Sequence, residues 1–249
     1  MTLGVVIPVY RGKDTIGTVV EKLFRFAGEQ RLLCRVVLVE DCSKDGSREA
    51  VLKAAADYGG VTAILLNRNV GQQQALYYGL NHVRDCDLVA TMDDDGQHPV
   101  PLLKELRTCI EKGADLCYAV PVRKGYPLYR KAGSVLRDML FSLCTGKPKG
   151  VRVSAYRMIT GELAGKLKPE RDGFIYLSAA AFRLHPRTSC IFYEAGPSDA
   201  SSYTFGKLLR LYWNLLIHYT PLKVFHSEKD SAQTCPYTVL PGRGFLWEP

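Results

Sequence analysis

Four short runs, LGVVIPV (3–9), RVVLVED (35–41), VTAILLN (61–67) and DLVATMD (87–93), are apolar at nearly every position. A strand with one wet face alternates polar and apolar residues, whereas a strand covered on both faces does not. Segments of helix length, 14–27, 46–57, 71–84 and 99–112, follow these runs in turn. Strand–helix alternation at this spacing predicts right-handed βαβ units, giving an α/β fold. Its sheet is expected to be doubly wound and mostly parallel, with helices on both faces. A fifth run, LCYAVPV (116–122), extends the series.

Beyond it the pattern loosens. Between Val122 and Lys168 stand eleven Lys or Arg residues against Asp138 and Glu162, within a chain of net charge +8. Such a field favours acidic partners, whether nucleotides, phosphorylated substrates, anionic lipid or nucleic acid. A helix is expected over 173–184 and a strand over 188–195. A long helical segment (203–225) carries Leu208, Leu211, Tyr212, Leu215, Leu216 and Tyr219 at helical spacing. That stripe faces either a core or a membrane surface. Residues 1–225 are expected to form one domain, with a nucleotide-binding half (1–112) and an acceptor-side half (113–225). The tail, 226–249, is expected to be irregular.

None of the eight cysteines forms a CxxC pair, and several lie inside apolar runs. This suits buried free thiols in a reducing compartment better than a zinc site or disulfide framework. The start, MTLGVVIPVY, has no basic n-region or cleavage site, so no signal peptide is expected. No run has the roughly 18–20 apolar residues of a membrane span. The expected location is the cytoplasm, with any membrane contact peripheral to its cytoplasmic face or made through a partner protein.

Chemistry in an open parallel sheet sits beyond the carboxyl ends of its strands. Two runs end there in acids, Glu40-Asp41 and Asp93-Asp94-Asp95, and the first leads into Pro8, Tyr10 and a turn. Pro8 is expected to stiffen that turn, and Tyr10 to offer a ring. Adjacent carboxylates repel one another unless something positive lies among them. Asp93, Asp95 and the amide of Gln97 suit Mg²⁺ or Mn²⁺, which take oxygen ligands readily beside a diphosphate. Taken alone, the triplet could equally cap the helix that starts near Pro99. A calcium loop does not fit, because its ligands alternate rather than run together.

Four segments in order at strand ends, VVIPVYRGKDTI, VEDCSKDGS, LNRNVGQQQALYYGL and TMDDDGQHP, resemble the signatures of family-two glycosyltransferases, which have the GT-A fold. Within that family the chain is similar to dolichyl-phosphate mannose synthases and undecaprenyl-phosphate sugar transferases. The likeness is strong over 3–110, extends to PVRKGYPLYRKAGS (121–134) and is patchy afterwards. It implies a nucleoside-diphosphate sugar donor (UDP or GDP), held by Pro8, Tyr10 and Asp41, with Asp93 and Asp94 on the substrate side. Asp93, Asp95 and Gln97 would hold the metal. Asp95, Arg123 and Arg130 would carry catalysis by stabilising charge on the departing diphosphate, with Lys131 and Ser134 beside them.

Three positions depart from that pattern. Gly12 stands where an acid is common, GKPKGVRVSAYR lacks an acid, and AGPSDASSYTF lacks a cation. A phosphate monoester needs no general base, whereas a hydroxyl does. The expected acceptor is therefore a polyprenyl phosphate. The alternatives are a glycan or small-molecule hydroxyl, with Asp172 or Glu170 as base, and a nucleotide-sugar-binding protein with a degenerate acceptor site. The basic residues lack the interleaved aromatics of a nucleic-acid site, so no nucleic-acid partner is expected.

Overall fold

The computed structural model describes residues 1–122, 142, 145–169, 173–195 and 236–242. In chain order the elements are β1 (Thr2–Val9), α1 (Ile16–Glu29), β2 (Leu33–Glu40), α2 (Ser47–Asp57), β3 (Val61–Leu66), α3 (Gln72–Leu80), β4 (Leu88–Thr91), α4 (Leu102–Glu111) and β5 (Leu116–Val122). They continue with β6 (Arg157–Thr160), α5 (Gly161–Lys166), α6 (Leu177–Phe182), β7 (Thr188–Glu194) and β8 (Tyr237–Pro241). The eight strands form one sheet in the order β7-β5-β6-β4-β1-β2-β3-β8. β1, β2, β3 and β4 run parallel, as do β5 and β7, while β6 and β8 run antiparallel to their neighbours.

The unbroken apolar runs are explained by the two cores they serve. Leu3, Val5, Ile7 and Val9 of β1 point into one, with the buried faces of α1, α2 and α4. Val6 points into the other, with Val37, Val39, α3, α5 and α6. In α1 the buried set Ile16, Val19, Val20, Leu23, Phe26 and Ala27 keeps the helical interval that turns one face to the sheet. α3 lies so close that a Cβ on Gly79 would fall 2.4 Å from Val6 Cγ1 and 2.9 Å from Val39 Cγ2. Both neighbours are β-branched and cannot swing aside. Gly79→Val is accordingly expected to cost about 1–3 kcal/mol of stability by overpacking, to be read from urea denaturation midpoints.

Several elements differ from the sequence expectation. Pro8 stands inside β1, opposite Val39, rather than in a turn. Its missing N–H costs no ladder bond. Alternation along β1 turns it to the side where Val6 O meets Met92 N, and β4 has already ended there. The tail contributes a strand, β8, which covers the outer edge of β3. Strand β6 and helix α5 are also unforeseen, being only 4 and 6 residues long. Helix 173–184 shortens to Leu177–Phe182. The segment 203–225 lies outside the described residues.

Cys34, Cys86 and Cys117 are buried, and the six described cysteines are all free thiols. Burial pushes the Cys34 thiol up to about 12, so it stays protonated and unreactive. No helix among the described residues is long and apolar enough to cross a membrane.

Candidate active site

After β3 the chain crosses back over β1 to form β4, so the connections reverse direction between β1 and β4. Ligands of open α/β sheets bind in the crevice at such a switch point. The loops after β1, β2, β3 and β4 meet there, and several of their polar groups tie one loop to another.

Asp41 is 3% exposed. Its Oδ1 accepts from Val70 N at 2.7 Å and its Oδ2 from Gly71 N at 2.9 Å, while Asn69 Nδ2 donates to its carbonyl. Burial raises the Asp41 carboxyl, and the two amides hold it down. The next residue, Gln72, donates from Nε2 to Asp93 Oδ1 at 2.6 Å. Val70, Gly71 and Gln72 thus join the carboxylate after β2 to the one after β4. Glu40 is fully buried, with Oε1 accepting from Ser43 N and no hydrogen bond to Oε2 among the described residues.

The three aspartates after β4 have three different surroundings. Asp95 is exposed, and its one described hydrogen bond runs from Gln97 N to Oδ1 at 2.9 Å. Asp94 turns back to accept from Tyr10 N at 2.9 Å. Asp93 packs beside His98, whose Nδ1 accepts from Asp93 N at 3.0 Å and whose Nε2 lies 3.7 Å from Asp93 Oδ2. Burial pulls His98 down to about 4, so at neutral pH this 3.7 Å contact is no ion pair. The imidazole stacks on Tyr156 at 4.8 Å, and the Tyr156 hydroxyl donates to Pro99 O.

Burial, then the charge of Asp95, raises Asp93 to about 6. Burial chiefly, with Asp93 and Asp95 adding, raises Asp94 to about 6 as well, against the pull of the Tyr10 amide. Arg157, 4% exposed, opposes the effect on Asp93 from beneath. It is anchored by Thr91 Oγ1 at 3.0 Å and Ser178 Oγ at 2.6 Å, and Tyr118 OH donates to the same Ser178.

Folded pKa values above the unfolded ones mean that ionising these two acids opposes folding. Their stabilising contribution is complete below about pH 4 and is lost as pH rises through about 6. In EDTA the protein is expected to melt several degrees higher at pH 5 than at pH 7.5, as a thermal scan would show. A melting temperature equal at the two pH values, or higher at pH 7.5, would contradict the assignment.

A divalent cation fits this donor set. Two mutually repelling carboxylates, Asp93 and Asp95, each keep an oxygen, Oδ2, without a hydrogen bond among the described residues. No group of three acidic, His or Cys ligands forms a closed cage among those residues. That suits an ion completed by substrate oxygens and water. Gln97 is exposed beside them.

Residues 4–164 match the model of the family described as glycosyl transferase family 2. The chain belongs to that family. Relatives of this transferase include the undecaprenyl-phosphate 4-deoxy-4-formamido-L-arabinose transferase of Serratia proteamaculans. The two are 30% identical over 228 residues, covering 89% of this chain and 69% of the relative. Among solved structures, glucosyl-3-phosphoglycerate synthase from Mycobacterium tuberculosis, in complex with Mn²⁺, UDP and phosphoglyceric acid, is similar to the transferase. Its TM-score is 0.64 at 16% identity, covering 87% of this chain and 77% of that one. Mannosyl-3-phosphoglycerate synthase from Rubrobacter xylanophilus gives 0.62 at 15%, covering 90% and 74%. The fold of this transferase is therefore GT-A.

Of the residues expected from sequence, Pro8, Tyr10, Asp41, Asp93, Asp94, Asp95 and Gln97 lie on these converging segments. Arg123, Arg130, Lys131 and Ser134 lie outside the described residues, as do Glu170 and Asp172. Gln72, His98, Tyr156 and Arg157 had not been singled out. All four stand within quoted segments, Gln72 in LNRNVGQQQALYYGL, His98 in TMDDDGQHP and Tyr156-Arg157 in GKPKGVRVSAYR, and nothing in its residue type distinguishes Gln72 from Gln73 or Gln74.

Proposed function

We propose that this glycosyltransferase moves a sugar from a nucleoside diphosphate to a polyprenyl phosphate, inverting the anomeric carbon in one displacement. The observation that carries this reading is the meeting of Tyr10, Asp41, Asp93 and Asp95 on loops tied to one another at the switch point. The likeness to transferases named for undecaprenyl phosphate supports the acceptor.

Tyr10, 48% exposed, offers its ring to the nucleoside, and Asp41 shapes the floor beneath it. Asp93 reaches the ribose and, with Asp95 and Gln97, would hold Mg²⁺ or Mn²⁺. Such an ion, when bound, neutralises charge on the diphosphate as it leaves. Arg123 and Arg130, with Lys131 and Ser134, would stabilise charge on the diphosphate or bind the acceptor phosphate, a role the family resemblance implies. A phosphate monoester is already anionic at neutral pH, so no side chain has to take a proton from it. The net charge of +8 and the 205–219 stripe suit peripheral contact with an anionic membrane surface.

The deciding experiment supplies UDP- and GDP-sugars with Mn²⁺ or Mg²⁺ to the purified chain, alongside polyprenyl phosphate and, separately, glycan hydroxyl acceptors. A polyprenyl-phosphate sugar of inverted configuration is the expected product. Transfer to hydroxyls alone would overturn the acceptor, and nucleotide binding without transfer to either would overturn the proposed reaction.

A further inference from the structure

Three successive backbone donors follow β1, and a side chain from another segment takes each one. Tyr10 N goes to Asp94 Oδ2 at 2.9 Å, Arg11 N to Ser43 Oγ at 3.1 Å and Gly12 N to Ser47 Oγ at 2.9 Å. Between them Arg11 sits at φ 63, a left-handed conformation that a non-glycine residue keeps only when its surroundings fix it. Its guanidinium lies 5.5 Å from the centre of the Tyr10 ring. Of the three ties, the one to Tyr10 alone involves a carboxylate, and charge-assisted hydrogen bonds are the stronger kind.

The same carboxylate explains a glycine. A Cβ on Gly12 would fall 2.4 Å from Asp94 Oδ2 and 2.9 Å from its Cγ. The Gly12 backbone lies outside the left-handed region, so the conformation itself would admit any residue. Only the space is taken. The side chain of Asp94 thus occupies the position that a side chain from residue 12 would enter. A Cβ-to-oxygen separation of 2.4 Å is close to the reach of an aspartate from its own Cβ.

We propose that Asp94 is a positioning residue: it pins the Tyr10 backbone and sets the nucleotide-facing loop, standing apart from the cation ligands Asp93 and Asp95. This rests on the nucleotide reading of Tyr10 given under Proposed function. It divides three adjacent acids between two tasks, one directed at the metal and one at the loop after β1.

The test compares wild type with Asp94→Asn, Asp94→Ala and the pair Asp94→Ala/Gly12→Asp. Three quantities are measured: UDP affinity in Mn²⁺ by calorimetry, Mn²⁺ affinity without nucleotide by electron paramagnetic resonance, and hydrogen exchange at the Tyr10 amide. Asp94→Ala is expected to weaken UDP binding about tenfold, the scale of one lost charge-assisted hydrogen bond, and to speed Tyr10 exchange. Its Mn²⁺ affinity is expected to stay within about twofold of wild type, a difference of only about 0.4 kcal/mol. Asp94→Asn keeps an acceptor oxygen and is expected to retain both UDP affinity and amide protection. The pair, which returns a carboxylate from the other side, is expected to recover most of both.

Loss of Mn²⁺ affinity in Asp94→Asn would make Asp94 a metal ligand and overturn the proposal. Unaltered Tyr10 exchange in Asp94→Ala would also overturn it. Should wild type bind no nucleoside diphosphate, the reading of Tyr10 falls, and the exchange data still decide whether Asp94 pins the loop.

Discussion

Alanine at position 95 is expected to slow sugar transfer by roughly a hundredfold to a thousandfold, the usual scale for removing one group that meets charge at the reacting centre. The same substitution should leave the fold intact. Asp95 is exposed, and its only described hydrogen bond, from Gln97 N, belongs to a surface turn. Removing it also takes away a like charge that disfavours ionised Asp93 and Asp94. Metal-free Asp95→Ala is therefore expected to melt at or slightly above the wild-type temperature. Its Mn²⁺-dependent gain in melting temperature with UDP should disappear, as EDTA should make it disappear in the wild type. Turnover equal to wild type in Asp95→Ala would remove the metal assignment for that residue.

Asp41→Ala is expected to do the opposite, damaging the fold before the chemistry. The substitution strips the acceptors from Val70 N and Gly71 N, both held at under 3 Å. Both amides are half-buried, and leaving each unpaired costs up to about 1–3 kcal/mol. Gly71, at φ 85, depends on that bond to keep its turn at the start of α3. A stability loss of about 2–5 kcal/mol is expected from chemical denaturation. The loosened loop should also release Gln72 from Asp93, so nucleotide affinity falls as well. Asp41→Asn keeps one acceptor oxygen and is expected to lie between the two. A fully stable Asp41→Ala would show that the loop does not need this anchor.

The parallel half of the sheet was legible in the sequence because burial on both faces leaves a continuous apolar run, and four such runs in register admit few topologies. Helix ends were less so. The sequence predicts α3 to residue 84, whereas the helix stops at Leu80, because the amides of Asn81, His82 and Val83 reach back three residues, in successive turns, rather than four. Strand β6 went unnoticed because its identity is tertiary. Arg157 and Met158 read as strand only when wedged between β4 and β5. The acids at the strand ends were visible as a cluster, but their division of labour was not. Asp93, Asp94 and Asp95 are the same residue type in a row, and only the partners Gln72, Tyr10 and Gln97 set them apart. Gly12 likewise read as a missing acid, when the reason for a glycine lies 82 positions later, in the room taken by Asp94.

β8 pairs with β3 although the two are separated by most of the chain. During synthesis the flank of β3 must therefore wait, unpaired, until about 170 further residues have been added. Until Tyr237–Pro241 emerges, Ala63, Ile64 and Leu65 present an open template to any other extended peptide. A chain cut short before residue 237 would keep the described residues of the switch-point crevice and still be left sticky along that border, prone to cross-molecule strand exchange.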